Sequence, residues 1–265
     1  MVEDAQFEHI AEVGDSGRPE DAIREAQALL GHASNDEKAA LLGGMHVNFC
    51  KLGRLGDAWE TLEQLKQLQA SDISFQLITT FYEATLLIQE RKYEAGASAF
   101  AAALERHRDA FQEARFRYLY EDIQCRRAEA LVFLSRCNEA LPILREALSF
   151  TFDQPGDEQR VHYYLGECLM AAGEAEEGRK ELDHAVSFGL QNAFEERALW
   201  RLAAFHFETG ALAQAQLKLE MILRDFPGPA TAVPREKVFR LLSKTFHFLG
   251  DKTNEEHYAS LAKRA

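Results

Sequence analysis

Three basic residues near the end of the sequence share one face of a predicted helix. Lys237, Arg240 and Lys244 are spaced i, i+3 and i+7, the spacing of neighbours along one side of an α-helix. Ammonium and guanidinium groups form charge-assisted hydrogen bonds with carboxylates. The formal net charge of the chain is -13, so a basic stripe stands out. It indicates either a binding surface for acidic groups or solvated bases that balance Glu236, Glu255 and Glu256.

The sequence shows no catalytic motif. It lacks the phosphate loop G-x-x-x-x-G-K-[ST], the elbow G-x-S-x-G and the zinc pair H-E-x-x-H. His184 beside Asp183, and His257 near Glu255, are neighbours on solvated faces, and we expect neither pair to bind a metal. Acid–base catalysis needs ionisable groups in a desolvated cleft, and stacked helices offer no obvious one. The sequence therefore predicts a protein that is not an enzyme and that uses no cofactor or metal.

The composition narrows the class of partner. An acidic chain of pI near 5.2 lacks the lysine- and arginine-rich surface that nucleic-acid binding requires. The first residues, "MVEDAQFEHI", show no basic and then apolar segment of a secretory signal, and no apolar run approaches the roughly 18 residues of a membrane helix. We predict a cytoplasmic protein with no membrane or nucleic-acid partner. Its scattered cysteines are expected to be reduced and mostly packed: Cys50, Cys125, Cys137 and Cys168.

The stretch "YYLGECLMAAGEAEEGRKELDHAV" reads as two helices joined by a tight turn. Gly173 stands where the first helix ends, a position that favours a residue able to adopt positive φ. Gly166 and Gly178 lie inside the helices, although glycine disfavours a helix interior by about 1 kcal/mol relative to alanine. We expect them at the crossing of the two helices, where missing side chains let the backbones approach.

The same pattern recurs along the whole chain. The residue five places after each turn is small in six of seven cases, and the residue seven places before it is small in five. Such self-similarity is the signature of a helix-hairpin repeat. It predicts an all-α fold, an α-solenoid of about seven antiparallel hairpins in a single domain, 1–265. The predicted turn residues are Gly17, Gly53, Arg91, Ser135, Gly173, Gly210 and Gly250.

These repeats resemble the tetratricopeptide repeat (TPR) family. The likeness is carried by Tyr163–Val186, by "KYEAGASAFAAAL" and by Pro227 at the closing proline of the family pattern. The sequence departs from the family in having no tryptophan at the helix A position and in exceeding the usual repeat of about 34 residues, which predicts degenerate repeats with lengthened helices. The longest interval predicts one helix from Phe111 to Leu134, whose aromatic residues pack a junction or mark a contact surface.

The resemblance implies a right-handed superhelix with a concave groove lined by the first helix of each hairpin. Carried across by register, the groove positions include Arg160 and Glu167, and the residues that we expect to bind a partner are Tyr163, Trp200, Phe207, Lys237, Arg240 and Lys244. Aromatic side chains would supply buried area, and the basic ones would pair with carboxylates.

Two functions are consistent with such a groove. The first is a non-enzymatic scaffold or adaptor that binds a peptide or partner protein, an acidic one among the alternatives. The alternative is a regulatory sensor that responds to a peptide or ligand, with the proline-rich segment Phe226–Pro234 as its hinge. A chaperone clamp is excluded, because lysine and asparagine are absent from its positions: Gly43, Val47, Phe81 and Thr85. Self-association into a homo-oligomer through the N-terminal end is a further prediction.

Overall fold

A computed structural model describes residues 4–68, 72–152, 154–228 and 231–265. In these ranges the regular structure is helical throughout, with no strand, and the predicted all-α class is confirmed. Fourteen α-helices follow one another: α1 (Asp4–Asp15), α2 (Pro19–Leu29), α3 (Asn35–Lys51), α4 (Leu55–Gln67), α5 (Ile73–Gln89), α6 (Tyr93–Arg106), α7 (Arg117–Phe133), α8 (Cys137–Ala147), α9 (Pro155–Ala171), α10 (Ala175–Ser187), α11 (Ala193–Glu208), α12 (Leu212–Asp225), α13 (Arg235–Leu249) and α14 (Lys252–Ala262).

The predicted turn residues all adopt a left-handed backbone. The five glycines have φ between 69° and 88°, and Arg91 and Ser135 have φ of 62° and 59°. This conformation brings Cβ close to the following carbonyl oxygen, and glycine avoids the clash. The turns predicted from the sequence are therefore confirmed, including the two that lack glycine.

Exchanging the residues of two turns is expected to change stability in opposite directions. Arg91→Gly relieves the left-handed strain and should raise the free energy of unfolding by about 1 kcal/mol. Gly53→Arg should lower it by a similar amount, because a Cβ at Gly53 meets open space and its only cost is conformational. Urea denaturation of each variant measures both changes. If both substitutions change the free energy of unfolding in the same direction, side-chain contacts and not the left-handed φ determine which residue is favoured at these turns.

The chain divides into two compact units, Met1–Leu134 and Ser135–Ala265. In the first unit the pairs α1–α2, α3–α4 and α5–α6 pack as hairpins and α7 follows them. In the second unit α8 precedes the hairpins α9–α10, α11–α12 and α13–α14. The two remaining helices, α7 and α8, stand on either side of the turn at Ser135. Six of the seven predicted hairpins thus lie within the units, and the seventh stays a prediction. That both units form a single domain remains a prediction.

Each unit has an apolar core between its helices. Leu62 and Leu86 are fully buried in the first unit, and Leu219 and Leu242 are fully buried in the second. Burying a leucine side chain contributes about 1.5–3 kcal/mol, so these residues hold neighbouring hairpins together. Two of the four cysteines, Cys125 and Cys168, are buried, and the other two are half-buried.

The α9–α10 hairpin is held by a close approach of its two backbones. A Cβ at Gly166 would lie 2.7 Å from Cγ of Leu182 and 2.9 Å from the carbonyl oxygen of Gly178. A Cβ at Gly178 would lie 2.8 Å from the carbonyl oxygen of Gly166. These distances leave no room for a methyl group, so the predicted role of both glycines is confirmed.

The single helix predicted from Phe111 to Leu134 is wrong in its first part. Two short 3-10 helices, Ala110–Gln112 and Ala114–Phe116, precede α7, which begins at Arg117. Phe111 and Phe116 both pack against Leu77 and its neighbours. On one α-helix these two side chains would point about 140° apart, so the chain must bend to bury both. The aromatic residues of this segment mainly pack, although Tyr118 is 61% exposed.

Candidate functional site

The predicted binding residues lie on the first helices of the hairpins in the second unit. α11 contacts both α9 and α13, so these three helices are neighbours. Trp200 and Phe207 are on α11, and the basic stripe is on α13. We call the surface formed by Trp200, Phe207, Lys237, Arg240, Lys244 and Phe248 the α11–α13 face.

The basic stripe is exposed along α13. Arg240 forms an ion pair with Glu236 one turn earlier. Lys237 and Lys244 are exposed, and neither has an ion-pair partner among the described residues. Glu255 is paired with His247 rather than with the stripe. The view that the stripe balances neighbouring glutamates therefore applies to Arg240, and two lysine charges stay available to a partner.

Aromatic side chains adjoin the stripe at the end of α13. Phe207 is half-buried and packs edge to face on Phe248, with ring centroids 5.8 Å apart. Phe248 is 65% exposed. Trp200 is half-buried and packs against the apolar core of the unit. The face thus combines an exposed aromatic residue, packed on a half-buried one, with free cations.

Phe248 is a member of this face that sequence reasoning missed. It lies four residues after Lys244, so helix geometry places it on the same side of α13 as the basic stripe. Because its side chain is apolar, the residue type alone predicts that Phe248 is buried in the core. Only its spacing from Lys244 could have indicated that Phe248 lies on the surface.

The α9 end of the surface is packed and paired. Tyr163 is 8% exposed, and its ring lies 5.7 Å from that of Phe194. Burial raises the pKa of the Tyr163 hydroxyl, as does the nearby Glu167. Burial also raises the pKa of the Glu167 carboxyl, against the opposing effect of Arg201, whose Nε lies 2.5 Å from Glu167 Oε1. Tyr163 therefore offers a partner little area.

In the described parts of the chain, no three His, Cys, Asp or Glu side chains come together as a possible metal site. In the same ranges, no helix combines the length and the apolar character that crossing a bilayer would require.

Solved structures share this arrangement of hairpins. PilF from Pseudomonas aeruginosa aligns at 13% identity over 87% of this chain and 92% of its own, with a TM-score of 0.67. PilW, a type IV pilus biogenesis factor, aligns at 15% identity over 85% and 92%, with a TM-score of 0.65. A tetratricopeptide repeat protein from Parabacteroides merdae aligns at 14% identity over 98% and 93%, with a TM-score of 0.58.

The chain has the tetratricopeptide-repeat fold. At these identities the likeness concerns the fold alone. No family model matches the sequence, and no curated protein matches it either. The tetratricopeptide-repeat fold is thus built here on a sequence that retains the small residues and turns of the repeat.

The second unit brings together five predicted binding residues on α11 and α13: Trp200, Phe207, Lys237, Arg240 and Lys244. The sixth, Tyr163, lies on α9 beside the Glu167–Arg201 pair.

Proposed function

We propose that this protein is a non-enzymatic interaction scaffold that binds a peptide or partner-protein segment on the α11–α13 face. The segment carries acidic side chains for Lys237 and Lys244 and apolar side chains for Phe207 and Phe248. The observation that carries the proposal is the pair of unpartnered lysines beside an aromatic residue 65% exposed. The tetratricopeptide-repeat fold supports the scaffold role.

The physical case rests on two complementary contributions. Apolar area removed from water contributes about 25 cal/mol per Å², and aromatic side chains are enriched in the energetic centre of interfaces. Cations at the edge of such a patch steer an acidic partner towards it and select against basic ones. A chain with a formal net charge of -13 repels acidic partners elsewhere, so this face gives them a defined position.

Charge reversal of the two free lysines is expected to weaken binding of an acidic peptide by at least about tenfold. The probe is a fluorescein-labelled extended peptide in which aspartate and glutamate alternate with phenylalanine and leucine. Fluorescence anisotropy at low salt compares the wild type with Lys237→Glu/Lys244→Glu. Phe248→Ser tests the apolar contribution separately.

A matched control has the same change in net charge at a different place. Lys180→Glu/Lys252→Glu reverses two exposed lysines on α10 and α14 and should leave the affinity nearly unchanged. If both double variants weaken peptide binding equally, the loss is due to the net charge of the protein, and the α11–α13 face is not the binding site. A peptide with lysine in place of the acids should bind weakly to the wild type.

The predicted hinge of the sensor alternative is held by its neighbours. Phe226 packs against the core of the unit, and Val233 lies within it. The backbone N–H of Ala232 donates to Oε2 of Glu196 at 2.6 Å. Pro229 and Ala230, two residues of the predicted hinge, lie outside the described residues. These contacts favour the scaffold over the sensor. A cytoplasmic location, homo-oligomer formation and the absence of nucleic-acid and membrane partners remain predictions.

A further inference from the structure

A cavity of about 530 Å³ lies in the first unit between α6, the bend before α7 and α7 itself. Ligand pockets in proteins commonly enclose about 300–1,000 Å³, so this cavity has the size for a small molecule. It is separate from the α11–α13 face, and neither sequence motif nor proposed function accounts for it. Its walls are Ala101, Leu104, Glu105, Arg108, Phe111, Gln112, Tyr120, Gln124 and Arg127.

Arg127 lines this cavity at a position that is apolar in four of the six other repeats. Eight residues before the turn, four other first helices carry a buried apolar side chain: Met45, Leu165, Leu202 and Leu242. In α7 the same position is Arg127. Eleven residues before the turn, where α7 has Gln124, the other repeats carry apolar and polar residues equally often. The cavity therefore opens beside a position, that of Arg127, which is core in four other hairpins, and its lining is hydrophilic on one side.

Within the described chain, one buried polar atom of the cavity wall lacks a partner, and two arginines beside it are unpaired. Arg108 and Arg127 line it, and neither has an ion-pair partner among the described residues. Gln124 is only 8% exposed. Its Nε2 donates to the Tyr120 hydroxyl at 3.0 Å, but its Oε1 has no hydrogen-bond partner in the part of the chain described. Buried polar atoms in proteins are nearly always partnered, so an occupant that hydrogen-bonds here is favoured.

We propose that this cavity binds a small carboxylate with an apolar or aromatic body. Arg108 and Arg127 would hold the carboxylate, since guanidinium groups bind carboxylates through paired hydrogen bonds. Phe111 and Leu104 would contact the body. Glu105 also lines the cavity, so two positive charges and one negative charge leave a balance that suits a monoanion better than a dianion.

The test uses 3-phenylpropionate as the probe and the full chain labelled with ¹⁵N. Binding followed by NMR titration should be saturable, with a Kd on the order of 1 mM for a ligand of this size. The Gln124 side-chain amide should be among the signals that shift. The alcohol 3-phenylpropan-1-ol, which has the same body without the charge, should bind about tenfold more weakly or not at all.

Variants locate the binding. Arg127→Gln and Arg108→Gln should each weaken the binding of 3-phenylpropionate by about tenfold. Arg106→Gln removes the same charge from an exposed residue outside the lining and should leave the binding unchanged. Arg127→Leu, which restores the residue type of other repeats, should lose binding while the chain stays folded by circular dichroism. Absence of saturation, equal binding of the alcohol, or equal loss in Arg106→Gln would overturn the proposal. Tighter binding of phenyl phosphate would overturn the assignment to a carboxylate.

Discussion

Gly178→Ala is expected to lower the free energy of unfolding by about 2–3 kcal/mol, the usual cost of forcing extra atoms into a packed contact. A Cβ at this position would lie 2.8 Å from the Gly166 carbonyl oxygen and 2.9 Å from the backbone nitrogen of Met170. Both are backbone atoms, so the two helices themselves must separate. The clash outweighs the intrinsic gain of about 1 kcal/mol that alanine brings to a helix. Chemical denaturation of the two proteins measures the difference.

Gly44→Ala provides the matched control. Gly44 lies inside α3, and a Cβ there would meet nothing within 4 Å. The substitution should raise the free energy of unfolding by about 0.5–1 kcal/mol. If Gly178→Ala also stabilises the protein, the close approach of α9 and α10 does not determine the packing of this hairpin.

Glu196→Ala is expected to lower the free energy of unfolding by about 3 kcal/mol, the scale found when one partner of a buried polar network is removed. Glu196 is 2% exposed and accepts a hydrogen bond from the Ala232 N–H at 2.6 Å. Its other oxygen lies 3.8 Å from Nη1 of Arg235. Without the carboxylate, the Ala232 N–H loses its acceptor. The mostly buried Arg235, whose Nη1 donates to the Ile222 carbonyl oxygen, loses the opposite charge beside it. Thermal and chemical unfolding of the variant give the change.

Two comparisons separate this anchoring role from a general effect of the substitution. Glu196→Gln keeps an acceptor for Ala232 and should cost less than the alanine variant. Glu208→Ala, at an exposed position of α11, should change stability by no more than about 0.5 kcal/mol. In Glu196→Ala, hydrogen exchange of the Ala232 amide should accelerate, while exchange of the amides within α11 stays unchanged. Unchanged exchange there would mean that the segment is held by Val233 and Phe226 alone.

The turns and crossings of the repeat were predictable because they depend on short stretches of chain. A left-handed turn residue is selected by local sterics, so its position could be read from Gly173 and from the spacing of the small residues. Arg91 and Ser135 show how far this reaches, since the repeat spacing alone placed them at left-handed turns, with φ of 62° and 59°. The bend before α7 was not predictable in this way. It forms because Phe111 and Phe116 must both reach Leu77, a contact between distant parts of the chain.

The candidate site divides in the same manner. Helix geometry predicted that Lys237, Arg240 and Lys244 share one side of a helix, and all three lie in α13. That Arg240 is paired with Glu236 while the lysines are free was decided by side-chain placement. That Phe248 stays 65% exposed while its ring contacts Phe207 was decided by which side chains surround the end of α13 in the folded chain.

By itself the sequence determined the all-α class, the positions of the seven turns and the basic stripe, because each of these follows from backbone sterics and the period of one helix. Only the tertiary structure decided which side chains are free, that Tyr163 is buried, and that a cavity opens beside Arg127. Burial and pairing are properties of neighbours brought together by folding, and neighbours far apart in sequence leave no periodic signal.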